Sequence, residues 1–246
     1  MTDRDTLIIA RRFHGPPDSG NGGYVAGRLA GRIGGTAEVT LRLPPPLEKE
    51  MIVEKDGNGG VRLMDDGRLV AEARPAEVNP AIPDPPSLET ARKAVERFPG
   101  FAQHPFPTCF TCGHQRAEGD GLRILSGPLE GTEAMAAPWV PHPSMADASG
   151  EVPPEILWAA LDCPGAWPLV GSLLRRHFSA KAYLLLGRIS ANLFSRVLSG
   201  QPCVVLGWPA GRDGRKLFSG SAIFAEDGAL LASAQATWIA MEPEGP

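Results

Sequence analysis

The stretch VRLMDDGRLVAEA, Val61 to Ala73, returns in the other half of the chain as AIFAEDGALLASA, Ala222 to Ala234. Each reads as a strand, an Asp-Gly turn (Asp66-Gly67, Asp227-Gly228) and a second strand. Asp-Gly between apolar runs suits a tight hairpin, because glycine takes a positive φ without a Cβ clash. A second match lies upstream of each hairpin. Val39, Leu41 and Leu43 alternate towards Pro44–Pro46 and Leu47–Val53, and Ile189 to Phe194 runs towards Leu198–Val204. Further upstream each copy carries a helix. The first spans Gly22 to Ile33, with Val25, Leu29 and Ile33 at i, i+4 and i+8 and Arg28 and Arg32 on another face. The second starts near Pro154, a proline suited to a first turn, and presents Ile156, Leu157, Ala160 and Leu161. Helix, strand, loop, strand, hairpin and strand, twice in the same order, read as a duplicated α+β unit.

Between the copies, NPAIPDPP (Asn79–Pro86) cannot continue a sheet, since its prolines carry no N–H for the ladder. Ser87 then caps a short helix whose Leu88, Ala91, Ala94, Val95 and Phe98 share a face, and Pro99-Gly100 stops it. The expected organisation is an N-terminal half over 1–83, a Pro-rich linker with a short helix over 84–103, and a C-terminal half over 104–246. The last carries loop-rich sequence from His104 to about Gly150 that the first half lacks.

Composition limits the function classes. With 43% hydrophobic and 21% charged residues, the chain has the ordinary globular mix and can bury a core. A formal charge of −4 and no basic stripe argue against nucleic acid. The charged start, MTDRD, has no apolar core of signal-peptide length, and no stretch reads as the roughly 18 apolar residues of a membrane span. Four cysteines are not a secreted disulfide scaffold. A cytoplasmic protein without a membrane partner is expected.

NGGYVA, Asn21 to Ala26, looks like the helix-start segment of thioesterase-like hotdog proteins, where His-Gly-Gly is the commoner form. WAALD, Trp158 to Asp162, resembles the second-half helix of double-hotdog acyl-CoA thioesterases, which carries an aspartate. LLASAQ, Leu230 to Gln235, resembles their closing strand. The resemblance spans most of the chain and implies a double hotdog, two tandem helix-wrapped antiparallel sheets of the α+β class. It also implies an acyl-thioester substrate from lipid metabolism, no cofactor, and a homodimer, because open strand edges invite pairing. Hotdog folds host hydratases, dehydratases and non-catalytic acyl binders as well, so activity has to be argued from the site. The sequence departs from the pattern in three places. Asn21 stands where many relatives have histidine. Gln235 is one position out of register, which on a strand turns it to the opposite face. CFTCGH, Cys109 to His114, has no counterpart.

Thioester hydrolysis needs a polarised carbonyl, an activated water or nucleophile, and a slot for an acyl chain. The free N–H groups of a helix start, here Gly22, Gly23 and Tyr24, can polarise a carbonyl; the plainer reading is that Asn21 caps the helix and the glycines allow close packing. Asp162, in an apolar helix, needs a partner or a task. It can activate water or attack the thioester, or it can bond local backbone near Pro164. We expect Gly22, Gly23 and Asp162 to form the catalytic set, with Gly23 and Asp162 within roughly 10 Å of each other across the seam between halves. Asn21, Tyr24, Trp158 and His14 are expected to contact substrate, and Asp18 is read on the same grounds as His14. Glu155 reads as a first-turn acid favoured by the helix dipole, or as a catalytic part. His104, Cys109, Cys112, His114 and His142 suggest half a zinc site. With Cys163 and Cys203 read as far off, the expectation is no tightly held metal.

Overall fold

The computed structural model describes residues 4–242. Eleven strands form one antiparallel sheet: β1 (Thr6–Ile8), β2 (Ala37–Leu41), β3 (Glu50–Lys55), β4 (Val61–Asp65), β5 (Arg68–Pro75), β6 (Gly127–Pro128), β7 (Met135–Trp139), β8 (Tyr183–Leu193), β9 (Cys203–Asp213), β10 (Lys216–Ala225) and β11 (Leu230–Met241). Their spatial order is β1-β3-β4-β5-β2-β8-β11-β10-β9-β7-β6. Reading outwards from the central β2–β8 pair, the order on one side repeats on the other, and the hairpins β4–β5 and β10–β11 hold equivalent places. The two expected sheets are therefore joined edge to edge, with Val39 opposite Ile189.

The hairpins differ by one residue. Asp66 and Gly67 both take positive φ (46° and 76°), the two-residue primed turn that matches strand twist. In the second hairpin only Gly228 does (φ 87°), and Ile223 pairs with Ala232 where Leu63 pairs with Ala71. The sequence match is thus out of step by one along β10. Gln235 lies exposed on the outer face, as its register implies.

Helix α1 (Gly22–Ala30) and helix α3 (Pro154–Leu169) lie on the inner face of the sheet. α3 continues through a π-helical turn, Val170–Leu174, to His177, despite Pro164 and Pro168. Serine and threonine hydroxyls cap several of its carbonyls: Thr111 donates to Ala159 O at 2.9 Å, Ser221 to Leu161 O at 2.6 Å and Ser172 to Pro168 O at 2.7 Å. By length and composition Pro154–His177 is apolar enough to cross a membrane, which the sequence reading did not find; 72% of its apolar window is buried inside the protein, as suits a core helix. The short helix α2 (Leu88–Val95), capped by Ser87, packs on the other face, against Val204, Leu206 and Trp208 of β9.

The two inner helices touch at backbone distance. A Cβ on Gly23 would lie 2.6 Å from Trp158 O and 2.6 Å from Asp162 Cβ; one on Gly27 would lie 2.6 Å from Glu155 Cα. Gly31 has nothing nearer than 3.7 Å. Helix propensity favours alanine over glycine by about 1 kcal/mol inside a helix, but at Gly27 the neighbour is backbone and cannot move aside. Gly31, the C-cap, has right-handed helical φ and ψ (−57° and −15°) that alanine also adopts. Gly27→Ala is therefore expected to destabilise the protein by about 1–3 kcal/mol, and Gly31→Ala to be neutral or stabilising. Urea unfolding of both variants checks this; equal effects would contradict the close crossing.

Candidate active site

The helix crossing brings one carboxylate against the start of α1. Asp162 is 3% exposed, and its Oδ2 accepts the Gly23 N–H at 2.9 Å and Asn21 Nδ2 at 3.0 Å. Asn21 uses both ends of its amide, since its Oδ1 accepts the Tyr24 N–H at 2.9 Å and so caps the helix. The bond from Gly23 crosses between halves, as expected, and well inside the expected distance. It also corrects the clamp: the Gly23 N–H is already given to Asp162 and is not free for a carbonyl. Gly22 N–H has no partner among the described residues. Asp162 does not bond local backbone, and its Oδ1 is buried without a partner among the described residues. Burial pushes the carboxyl up to about 7, against the pull of the Gly23 and Asn21 donors and with a further push from Cys109.

Beside Asp162 and Gly22 lies a cavity of about 500 Å³, walled by Leu41, Leu186, Trp238 and Ile239 and by the loop Gly15–Gly20. A second cavity, of about 370 Å³, lies among Trp167, Val170, Leu174 and Ala182. Phe106, Cys109, Cys163, Tyr183, Leu184 and Trp238 border both.

No family model matches the chain, and no curated protein matches it in sequence. Solved structures do match. The TesB protein of Mycobacterium avium subsp. paratuberculosis is 12% identical, with a TM-score of 0.62 over 97% of this chain and 93% of that one. A hot dog fold protein of unknown function from Alicyclobacillus acidocaldarius is 13% identical, with a TM-score of 0.60 over 99% and 95%. The acyl-CoA thioesterase II TesB2 of Mycobacterium marinum is 13% identical, with a TM-score of 0.58 over 98% and 94%. The fold is a double hotdog. At such identities the likeness speaks for architecture, and chemistry has to come from the site.

Within this double hotdog three expected substrate contacts lie elsewhere. Tyr24 is buried, stacked on Phe13 with ring centroids 3.9 Å apart and edge-on to Phe110 at 6.0 Å, its hydroxyl accepting from Arg28. Trp158 fills the space under Gly27. Neither borders the cavity beside Asp162. His14 faces Gly15 O, and its own carbonyl receives the Phe110 N–H at 2.8 Å. The loop carrying Cys109 to His114 packs here, with buried Phe110 edge-on to Phe13 at 5.0 Å and to Tyr24. Asp18 sits exposed on the cavity rim, and Glu155 lies 3.9 Å from Arg28.

The same loop corrects the placing of Cys163, which is not far off. Cys163, next to Asp162 on α3, has its sulfur 3.7 Å from that of Cys109, and the sulfurs of Cys109, Cys112 and Cys163 all lie within 4.8 Å of one another. Bonds from the Cys112 and Cys163 thiols hold Cys109 well below the usual thiol range, while burial pushes Cys112 up. His104 adjoins the cluster; His142 instead caps the turn at Pro143–Met145. Cys203 stands apart on β9, pushed up to about 12 by burial. A cysteine one residue beyond the acid on α3 is the signal the sequence offered for this.

Asp162→Asn keeps an oxygen for Gly23 and Asn21 and removes a buried charge, so it is expected to match or exceed the parent in stability. Asp162→Ala strands both donors and is expected to cost about 1–3 kcal/mol. Thermal unfolding of the pair checks this; an Asn variant as weak as the Ala variant would show that the carboxylate does not serve these donors as an acceptor.

Proposed function

We propose that this double hotdog is an acyl-thioester hydrolase whose general base is Asp162. The observation that carries the reading is a buried carboxylate with one oxygen fixed by Asn21 and Gly23, the other without a partner, at the edge of an apolar cavity. The acyl chain lies along Leu41, Leu186 and Ile239. A water beside Asp162 gives its proton to the carboxylate and adds to the thioester carbonyl carbon. The Gly22 N–H, at the positive end of the α1 dipole, donates to the oxygen on which charge develops. Collapse of the tetrahedral adduct breaks the C–S bond, and the thiolate leaves with the proton that Asp162 had taken. Asn21 positions Asp162, and Gly23 gives its N–H to the carboxylate, not to the substrate. Thioesters of coenzyme A are the substrates we favour, in line with the name of the Mycobacterium marinum protein of the same fold.

Against a hydratase or dehydratase, which wants a histidine paired with an acid, stands the position of His14 outside the cavity lining. The test is thiol release from acyl-CoA thioesters graded in chain length. Turnover is expected in the parent, with kcat falling by about 10²–10⁴ in Asp162→Asn while substrate binding by calorimetry is retained. A parent that binds these thioesters without turnover is a binding protein. A parent that neither binds nor hydrolyses them sinks the reading.

A further inference from the structure

Cys109, Cys112 and Cys163 reach one point from two separate elements, a loop and a helix. We propose that these three thiols are a binding site for a single thiophilic closed-shell cation, zinc(II) or copper(I). A metal about 2.3 Å from each sulfur places tetrahedral sulfurs about 3.8 Å apart and trigonal ones about 4.0 Å apart. The Cys109–Cys163 separation of 3.7 Å, with all three sulfurs within 4.8 Å, fits such a set without rearranging the backbone.

The loop is built to hold its two ligands. The Gly113 N–H closes a turn on Cys109 O at 2.9 Å, and a Cβ at Gly113 would meet that oxygen at 2.4 Å, so the knuckle after Cys112 requires glycine. Thr111 ties the same loop to α3 through Ala159 O at 2.9 Å, one helical turn before Cys163. His104 Nδ1 accepts the Phe106 N–H at 3.0 Å, so Nε2 carries the proton and donates to Cys112 O at 3.1 Å. His104 therefore braces the loop and is not a ligand. The site is a three-thiolate one, with a remaining position open towards the cavities that Cys109 and Cys163 border. Three soft donors select copper(I) or zinc over hard cations, and binding releases the thiol protons to solvent.

The inference is independent of the hydrolase reading, because its readout is metal and not turnover. The full chain, purified without chelator, is analysed for metal and titrated anaerobically with zinc(II), copper(I) and cadmium(II). Expected are saturation at one ion per chain, a cadmium–thiolate charge-transfer band, and loss of both in Cys163→Ser and Cys109→Ser but not in Cys203→Ser. Copper(I) saturating and zinc not would identify a trigonal site; zinc saturating would identify one completed by a further donor. X-ray absorption on the loaded parent keeps the test open if a serine variant fails to fold: a shell of sulfur at about 2.3 Å is expected. No stoichiometric binding, a nitrogen and oxygen shell, or binding undisturbed in Cys163→Ser overturns the proposal.

Discussion

The two helices of this double hotdog can meet only because α1 presents glycines where α3 presents its backbone. Gly23 and Gly27, one turn apart, leave no room for a Cβ, and the approach they permit brings Asp162 within 2.9 Å of the Gly23 N–H. Taking a carboxylate out of water is costly unless donors replace the water. Here the start of a helix from the opposite half supplies them, with Asn21 as both cap and donor. One residue thus joins the halves and carries the acid that the proposed chemistry uses. A larger side chain at Gly23 would part the helices and return Asp162 to solvent or to an unpaired burial.

Much of this was legible in the sequence because it rests on short-range rules. The paired Asp-Gly hairpins gave the repeat, since turn chemistry and alternation are local. Asn21 before Gly22-Gly23-Tyr24 read as a cap, and Asp162 stood out as an acid in an apolar helix. What the sequence did not reveal depends on how distant segments meet. Nothing local says that the segment from Cys109 to Gly113 folds back to His14, that Phe110 packs edge-on to Phe13 and Tyr24, or that Tyr24 is core. Nor could spacing place Cys163 beside Cys109, because their separation in sequence carries no familiar ligand pattern.

The role of the glycines was half legible. They were read as a carbonyl clamp or as a device for close packing, and the structure divides them. Gly23 and Gly27 serve the helix crossing. Gly22 packs against Leu186 and Leu41 of the sheet and keeps an N–H without a partner among the described residues. An N–H committed to a carboxylate is not free to polarise a carbonyl, so in the proposed chemistry the donor is Gly22, one residue earlier, and Asp162 is the base.

The central claim is that Asp162 activates water at this seam. Single-turnover hydrolysis of an acyl-CoA in ¹⁸O-water, with enzyme in excess, tests it most directly. The account predicts that the acid released in the first turnover carries the label and that the peptide containing Asp162 does not. Unlabelled acid followed by label in Asp162 would make the carboxylate the nucleophile, and no turnover at all would contradict the hydrolase.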